Sequence, residues 1–534
     1  MPILDFFPTQ GCYAPGETVK LLVEINAIAA GSALLRLEIF HLDEPPIAFS
    51  YSRELTAGHQ ILQFDWDPPL TTAGYAARLE IRNEGEDISS KASTAFDVLL
   101  SWADYPRYGF LTDFSDQRPD PDTTMLELGC YHINGLQFYD WQFRHDILLA
   151  PTDEYLDPLG RALSLTTVKS LINSAHQHGM AAMPYLAVYA ASVEFWQSHT
   201  DWALFDENGR PIPFGEDFLG LMDPSPGSPW SRHILREAKR LLRKIPFDGL
   251  HIDQYGDPKQ AWDFRHEPVD LPSAFVQFIK SAHKQNPSKA ILFNAVGNWP
   301  IKALATAALD FLYIEVWPPQ VEFHQLARIV LDAVKDSKGK AVVIALYLPT
   351  DRSANILLAD AVILACGGTR IELGEGAHLL VDPYFPKHQP ITDELQVELR
   401  RFYDFSVRSG EWLASYNLTT KERKTWAQGE MNPDWVSLED SVWCVARRRP
   451  GGWCLAVINL NNIETPRWDI AHPSPVPYVG LPALVKLLHK PQMVYWSSPE
   501  QDGRPQALDF EYDRGELHFL IPHLRYIGVI YIHD

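Results

Sequence analysis

The chain has 534 residues, with 46 Lys and Arg against 68 Asp and Glu, for a formal net charge of −22. A chain of this length exceeds one hydrophobic core and implies about two to four domains. Its 46% hydrophobic content, with 26 Phe, 21 Tyr and 16 Trp, argues against disorder, and its acidity argues against nucleic acid or an anionic membrane surface as a partner. So many aromatic rings also suit a protein that stacks on sugars, although large cores account for most of them.

Five cysteines stand at Cys12, Cys130, Cys366, Cys444 and Cys454, with no CxxC pair to suggest structural zinc. The odd count fits a reducing compartment. Cys444 and Cys454 flank the turn-like RRRPGGW and so stand within reach across a hairpin, which leaves one disulfide open, with free thiols expected. The 19 His are scattered, and no metal or organic cofactor is expected. The start, MPILDFFPTQGCYAPGE, lacks a basic segment followed by an apolar run and a small-residue cleavage site, and no segment approaches the ~20 apolar residues of a membrane span. The expectation is a soluble, cytoplasmic protein, or a secreted one if a leader has been removed.

Residues 1–103 read as β structure. Apolar runs such as TVKLLVEIN and SALLRLEIFHL are separated by turn signals at APGE and TAGH, and Leu35, Leu37 and Ile39 alternate with Arg36 and Glu38. An immunoglobulin-like β-sandwich is expected. From 104 to 415 short apolar runs alternate with helical segments. The runs are RYGFLTDF, INGLQFYDW, MAAMPYLAVY, FDGLHIDQYG, AILFNAVG, DFLYIEVW, AVVIALYL and GGTRIELGEG. The clearest helix starts with Ser164 as N-cap, carries Val168, Leu171, Ile172 and Ala175 on one face, and stops at Gly179. Eight such units predict a closed (β/α)₈ TIM barrel. Neither GxGxxG after the first strand nor GxxxxGKS/T occurs, which removes support from nucleotide-binding α/β folds. Residues 416–534 return to β texture and predict a second β-sandwich, giving a multidomain α/β chain with a central barrel and two flanking sandwiches.

In a barrel the site lies at the C-terminal ends of the strands. On strand four, His251, Asp253 and Tyr255 share one face, and Asp253 ends an otherwise apolar run. It reads either as a carboxylate at the barrel mouth or as a buried Asp paired with an Arg or capping a loop. On strand six, Tyr313, Glu315 and Trp317 share a face, and Glu315 is a charge inside a buried-looking run. Burial raises such a group's pKa, as a general acid requires, but a salt-bridged Glu in the barrel wall has the same pattern. Alternate strands fill the same interior layers, so the pair can approach to about 5–6 Å, the spacing of a retaining glycosidase with Asp253 as nucleophile and Glu315 as acid/base.

The segments YHINGLQFYDWQFRHD, FDGLHIDQYGD and FLYIEVW resemble glycoside hydrolase family 66, the endo-dextranases and cycloisomaltooligosaccharide glucanotransferases, and YAPGETV resembles the start of that family's first β-domain. The resemblance spans essentially the whole chain. It implies retaining cleavage of α-1,6-glucan, with Asp253 and Glu315 matching the nucleophile and acid/base positions. It also suggests glucose-hydroxyl binding by His132, Tyr139, Asp140, Trp141 and His145, although a strand-two core explains Tyr139 nearly as well. His251 and Tyr255 join the candidate sugar contacts through their face. Asp257 is a substrate contact or a loop cap; Asp113 and Asp116 end strand one, where loop capping is the commoner role. Glu375 and Glu372 end strand eight, and either replaces Glu315 as the acid if the strand phase is shifted. Trp299 and Trp317 are candidate stacking platforms, with core packing as the alternative. The family's transferases carry a long carbohydrate-binding insertion in the barrel region, whereas PTDRSANILLADAVILACGGT between strands seven and eight is one helix. That difference favours a dextranase-like hydrolase acting on dextran or imported isomaltooligosaccharides. A transglycosylase and, more remotely, an inactive carbohydrate-binding protein are the alternatives.

Overall fold

The alternation in VKLLVEINA becomes a strand, Val19–Ala27, whose residues Val19, Leu21, Val23 and Ile25 are buried while Lys20 and Asn26 face out. It lies between Ile3–Pro8 and Gly58–Trp66 in a three-stranded antiparallel sheet. A four-stranded antiparallel sheet follows, in the order Ile47–Leu55, Gly31–Phe40, Ala73–Asn83, Ser89–Val98. Both sheets feed one apolar cluster containing Val23, Leu35, Leu37, Phe64 and Leu79. The computed structural model describes residues 3–83, 89–216 and 218–534, and shows a mixed α/β, sheet-rich, multidomain molecule.

All eight apolar runs of the central segment form strands of one eleven-stranded sheet. In chain order they are Tyr108–Leu111, Gly135–Phe138, Ala181–Ala187, Gly249–Asp253, Ala290–Val296, Leu312–Glu315, Val342–Ala345 and Thr369–Ile371, each parallel to the one before. The eighth pairs with the seventh through Thr369 and Val343. Three residues on, Gly374 pairs in parallel with Phe110 of the first strand. The sheet therefore curls back on itself. Its concave face holds a separate cluster of Tyr108, Phe110, Met183, Leu292, Tyr313, Val343 and Ile371. The convex face packs on helices, as the period-two alternation of side chains requires.

The helix after the second strand runs Leu165–Gln177, with Ser164 accepting from the Thr167 N–H and Val168, Leu171, Ile172 and Ala175 buried. Gly179 ends it at φ +65°, and a Cβ there would lie 2.6 Å from the Cys12 carbonyl, so both conformation and the close approach of the N-terminal segment require glycine. The helix between strands seven and eight, Ser353–Ala365, is buried from Ala354 to Ala365. One side meets the sheet and the other is held by the C-terminal segment: Asn355 donates to the Trp468 and Ile470 carbonyls, and Arg447 caps the Ala365 and Cys366 carbonyls.

The C-terminal segment comprises a six-stranded and a four-stranded sheet around a cluster that includes Leu455, Val457, Trp496, Leu517 and Ile530. In its hairpin Val442–Arg449/Gly452–Asn459, Cys444 stands opposite Val457 and Cys454 opposite Arg447. The two thiols are therefore out of register, and all five cysteines are free. Among the described residues no helix is long and apolar enough to cross a membrane.

Candidate active site

Asp253 is the last residue of the fourth strand and Glu315 the last of the sixth, and both reach a cavity of about 320 Å³ at the C-terminal ends of the parallel strands. The fifth strand, between them, supplies Asn294. Its side-chain amide donates to Asp253 Oδ1 and to Glu315 Oε2, each at 2.9 Å. Two such bonds through one nitrogen hold those carboxylate oxygens no further apart than twice 2.9 Å, about 5.8 Å. The Asn294 Oδ1, also buried, accepts no bond from the described residues. Tyr347, just past the seventh strand, donates to Glu315 Oε1 at 2.6 Å.

Both carboxyls titrate upward. Burial is the main cause for each. The negative charge of Glu315 adds to it at Asp253, bringing that group to about 8 against the opposing bond from Asn294. At Glu315 the bonds from Tyr347 and Asn294 oppose the rise. Two carboxyls this close titrate as one coupled pair, and both are pushed toward the protonated form.

Tyr139, Asp140, His145, Tyr255 and Trp317 also line the cavity. Tyr139 stacks on Phe385 at 4.4 Å, and Tyr255 on Phe214 at 4.1 Å. Trp317 is 37% exposed, the most open of the cavity's aromatic rings together with Phe218. Burial raises Asp140 to about 6 and lowers His145 to about 4, so the imidazole is neutral.

The remaining candidates lie elsewhere. His132 is buried, bonded at 2.8 Å to Asp404 of the helix Asp393–Arg408. Trp141 packs in the outer core with its indole N–H on the Tyr185 carbonyl. His251 lies on the predicted face but one layer below the cavity, between Tyr108 and Tyr313, where burial lowers it to about 3. Asp257 is exposed in the loop, and the Trp299 carbonyl accepts from Gln254 while its ring packs on Phe275. Glu375 accepts from the backbone N–H groups of Thr112 and Asp113 and pairs with Arg118; Asp113 caps the Ser115 N–H. Glu372 is held by Arg370 and Tyr403 away from the cavity. Neither strand-eight glutamate lines the mouth, so neither replaces Glu315.

Sequence reasoning passed over Asn294, Tyr347, Tyr185, Gln137 and Phe214, all cavity residues. Asn294 had a signal: it is the lone polar residue in AILFNAVG. Tyr347 shares the face of Val343 and Ala345 by alternation. Among the described residues no group of three or more His, Cys, Asp or Glu is arranged to hold a metal ion.

The profile described as Glycosyl hydrolase family 66 matches residues 9–531. Two curated proteins of Niallia circulans named cycloisomaltooligosaccharide glucanotransferase are similar: one is 29% identical over 377 residues, 64% of this chain and 38% of its own length. The other is 28% identical over 366 residues, 63% of this chain and 37% of its own length. The matched stretch thus spans well under half of each relative. A solved cycloisomaltooligosaccharide glucanotransferase from Paenibacillus sp., complexed with cycloisomaltoheptaose, superposes with TM-score 0.89 at 21% identity, covering 99% of both chains.

Proposed function

Since the chain belongs to glycosyl hydrolase family 66, we propose that it acts on α-1,6-linked glucose oligomers by double displacement and passes the glycosyl group chiefly to a sugar hydroxyl. The single observation that carries the double displacement is the Asn294 bridge. The two oxygens that share the Asn294 nitrogen lie at most about 5.8 Å apart, nearer the spacing of a retaining pair than the wider gap that inversion needs, which supports direct attack. In the first step an Asp253 oxygen forms a bond to the anomeric carbon while the glycosidic C–O bond breaks, and Glu315 gives its proton to the departing oxygen. In the second, an acceptor hydroxyl loses its proton to Glu315 and displaces Asp253. For this reaction the proton must reside on Glu315 when sugar is bound; positive charge developing at the anomeric carbon favours the ionised neighbour, Asp253. Asn294 aligns both groups and offers Oδ1 to a sugar hydroxyl.

The choice of acceptor leans on the relatives, whose names are those of glucanotransferases. It displaces the hydrolytic expectation drawn from the short link between strands seven and eight. Hydrolysis remains the second reading, favoured by that link. The scaffold belongs to the same proposal: the curled parallel sheet is read as a closed (β/α)₈ barrel over residues 104–415, between β-sandwiches over 1–103 and 416–534. Its support is the return of the eighth strand's pairing to the first.

The test is a product analysis of isomaltooligosaccharides with the anomer followed by NMR, together with mass spectrometry after trapping with a 2-fluoro-glucosyl donor. Products longer than the substrate, or without a reducing end, mark transfer; reducing products alone mark hydrolysis. A label on Asp253 supports its role, a label on Glu315 reverses the two, and an inverted anomer defeats both.

A further inference from the structure

The C-terminal segment carries a second groove, of about 550 Å³, none of whose residues lines the carboxylate cavity. Trp435 and Trp453 form its floor, half-buried, with ring centroids 4.7 Å apart and planes tilted by 55°. Tryptophans packed into a β-domain are ordinarily covered, and these two keep part of their surface open in a concave site. Beside them Arg448 makes a two-pronged pair with Asp534, one bond of which is 2.9 Å, and its guanidinium lies 5.5 Å from the Trp453 ring centre. Lys486, His489 and Lys490 stand exposed on the rim with Leu488, which is 93% exposed.

We propose that this groove is a non-catalytic binding site for a neutral glucan chain, holding a polymer whose free end is worked on in the carboxylate cavity. Indole planes offer flat apolar area to the C–H faces of glucose rings, and an Arg–carboxylate pair offers donors and acceptors fixed in one plane to their hydroxyls. The charge layout argues against an anionic polymer. The floor is aromatic, the arginine nearest it is already neutralised by Asp534, and the lysines sit only at the edge. Tethering a polymer here raises the local concentration of chain ends without any new contact at the cavity.

This inference rests on the α-glucan reading, and the experiment separates the two. The full chain is run through native gels containing dextran or dextran sulfate, and turnover is measured on isomaltotriose and on long dextran. The variant Trp435→Ala/Trp453→Ala is expected to lose dextran retardation and to show a KM for long dextran raised about tenfold. Its kcat on dextran and both constants on isomaltotriose stay unchanged. The pair Trp435→Phe/Trp453→Phe, which keeps a ring on the domain core, falls between wild type and the alanine pair, so a folding defect in the latter does not decide the result. Retardation equal to wild type in both variants overturns the groove, as does retardation by dextran sulfate alone. Absence of turnover on either glucan overturns the proposed activity instead, while the gels still report on the groove.

Discussion

Two buried clusters of this molecule each hold two carboxyls, and they differ in what stands between them. In the cavity an amide nitrogen bridges Asp253 and Glu315, and one side is open. On the other side of the sheet, Asp360 and Glu372 share a guanidinium: Arg370 Nη1 is 3.1 Å from each, and Tyr403 donates to Glu372 at 3.0 Å. Burial, then the charge of Asp360, raises Glu372 to about 8, the same figure that burial and Glu315 give Asp253. A shifted pKa therefore does not separate the proposed reacting pair from the pair held by Arg370. Access and the bridging group do: a cation, Arg370, ties Asp360 to Glu372 away from the cavity, whereas a neutral amide holds Asp253 and Glu315 close beside an open cavity.

The sharpest way to break this contrast is to neutralise one member of each cluster. Asp253→Asn is expected to lower kcat by roughly a thousandfold or more while thermal unfolding stays near that of the native chain. Glu372→Gln is expected to keep turnover within about tenfold. If Glu372→Gln abolished turnover in a folded protein, the division between the clusters would collapse.

Stability gives the next largest effect. Arg370→Met leaves Asp360 and Glu372 buried without their cation and is expected to cost roughly 3–5 kcal/mol in denaturant unfolding. The sign for Glu372 follows from its raised pKa: the folded state favours the proton, so this contribution is fully present below the unfolded pKa and is lost as pH rises through about 8. Glu372→Gln should therefore gain stability relative to the native chain between about pH 5 and pH 9, and a flat difference across that window would remove the shift.

The smallest effect is in the pH profile. Tyr347→Phe deletes an O–H that stabilises ionised Glu315, so the Glu315 pKa rises further and the alkaline limb of kcat moves upward. A move downward would show that the hydroxyl serves the protonated acid instead.

The backbone frame was legible because parallel strands buried on both faces stand out as apolar runs, and a carboxylate inside such a run is visible against them; hence Asp253 and Glu315. The phase of strand eight was left open by the sequence, and the structure sets it: Ile371 belongs to the concave cluster, and Arg370 and Glu372 therefore face the other way. What stayed hidden has two causes. Asn294 and Tyr347 do not ionise at neutral pH, so a search for charges in apolar strands passes over them. His132 and Trp141 are near strand two in sequence, but the turn before the strand carries His132 to Asp404 of the helix Asp393–Arg408, and Trp141 points into the outer core.

The helix Ser353–Ala365 has no wet side to give back. The boundary near residue 415 is a seam in texture and not a place where the chain can be cut: without the C-terminal segment the side of this helix turned from the sheet would face solvent next to the eighth strand. The last hundred-odd residues thus act as a lining sewn onto the helices outside the parallel sheet, and a chain trimmed near residue 415 is expected to aggregate through the apolar surface it uncovers.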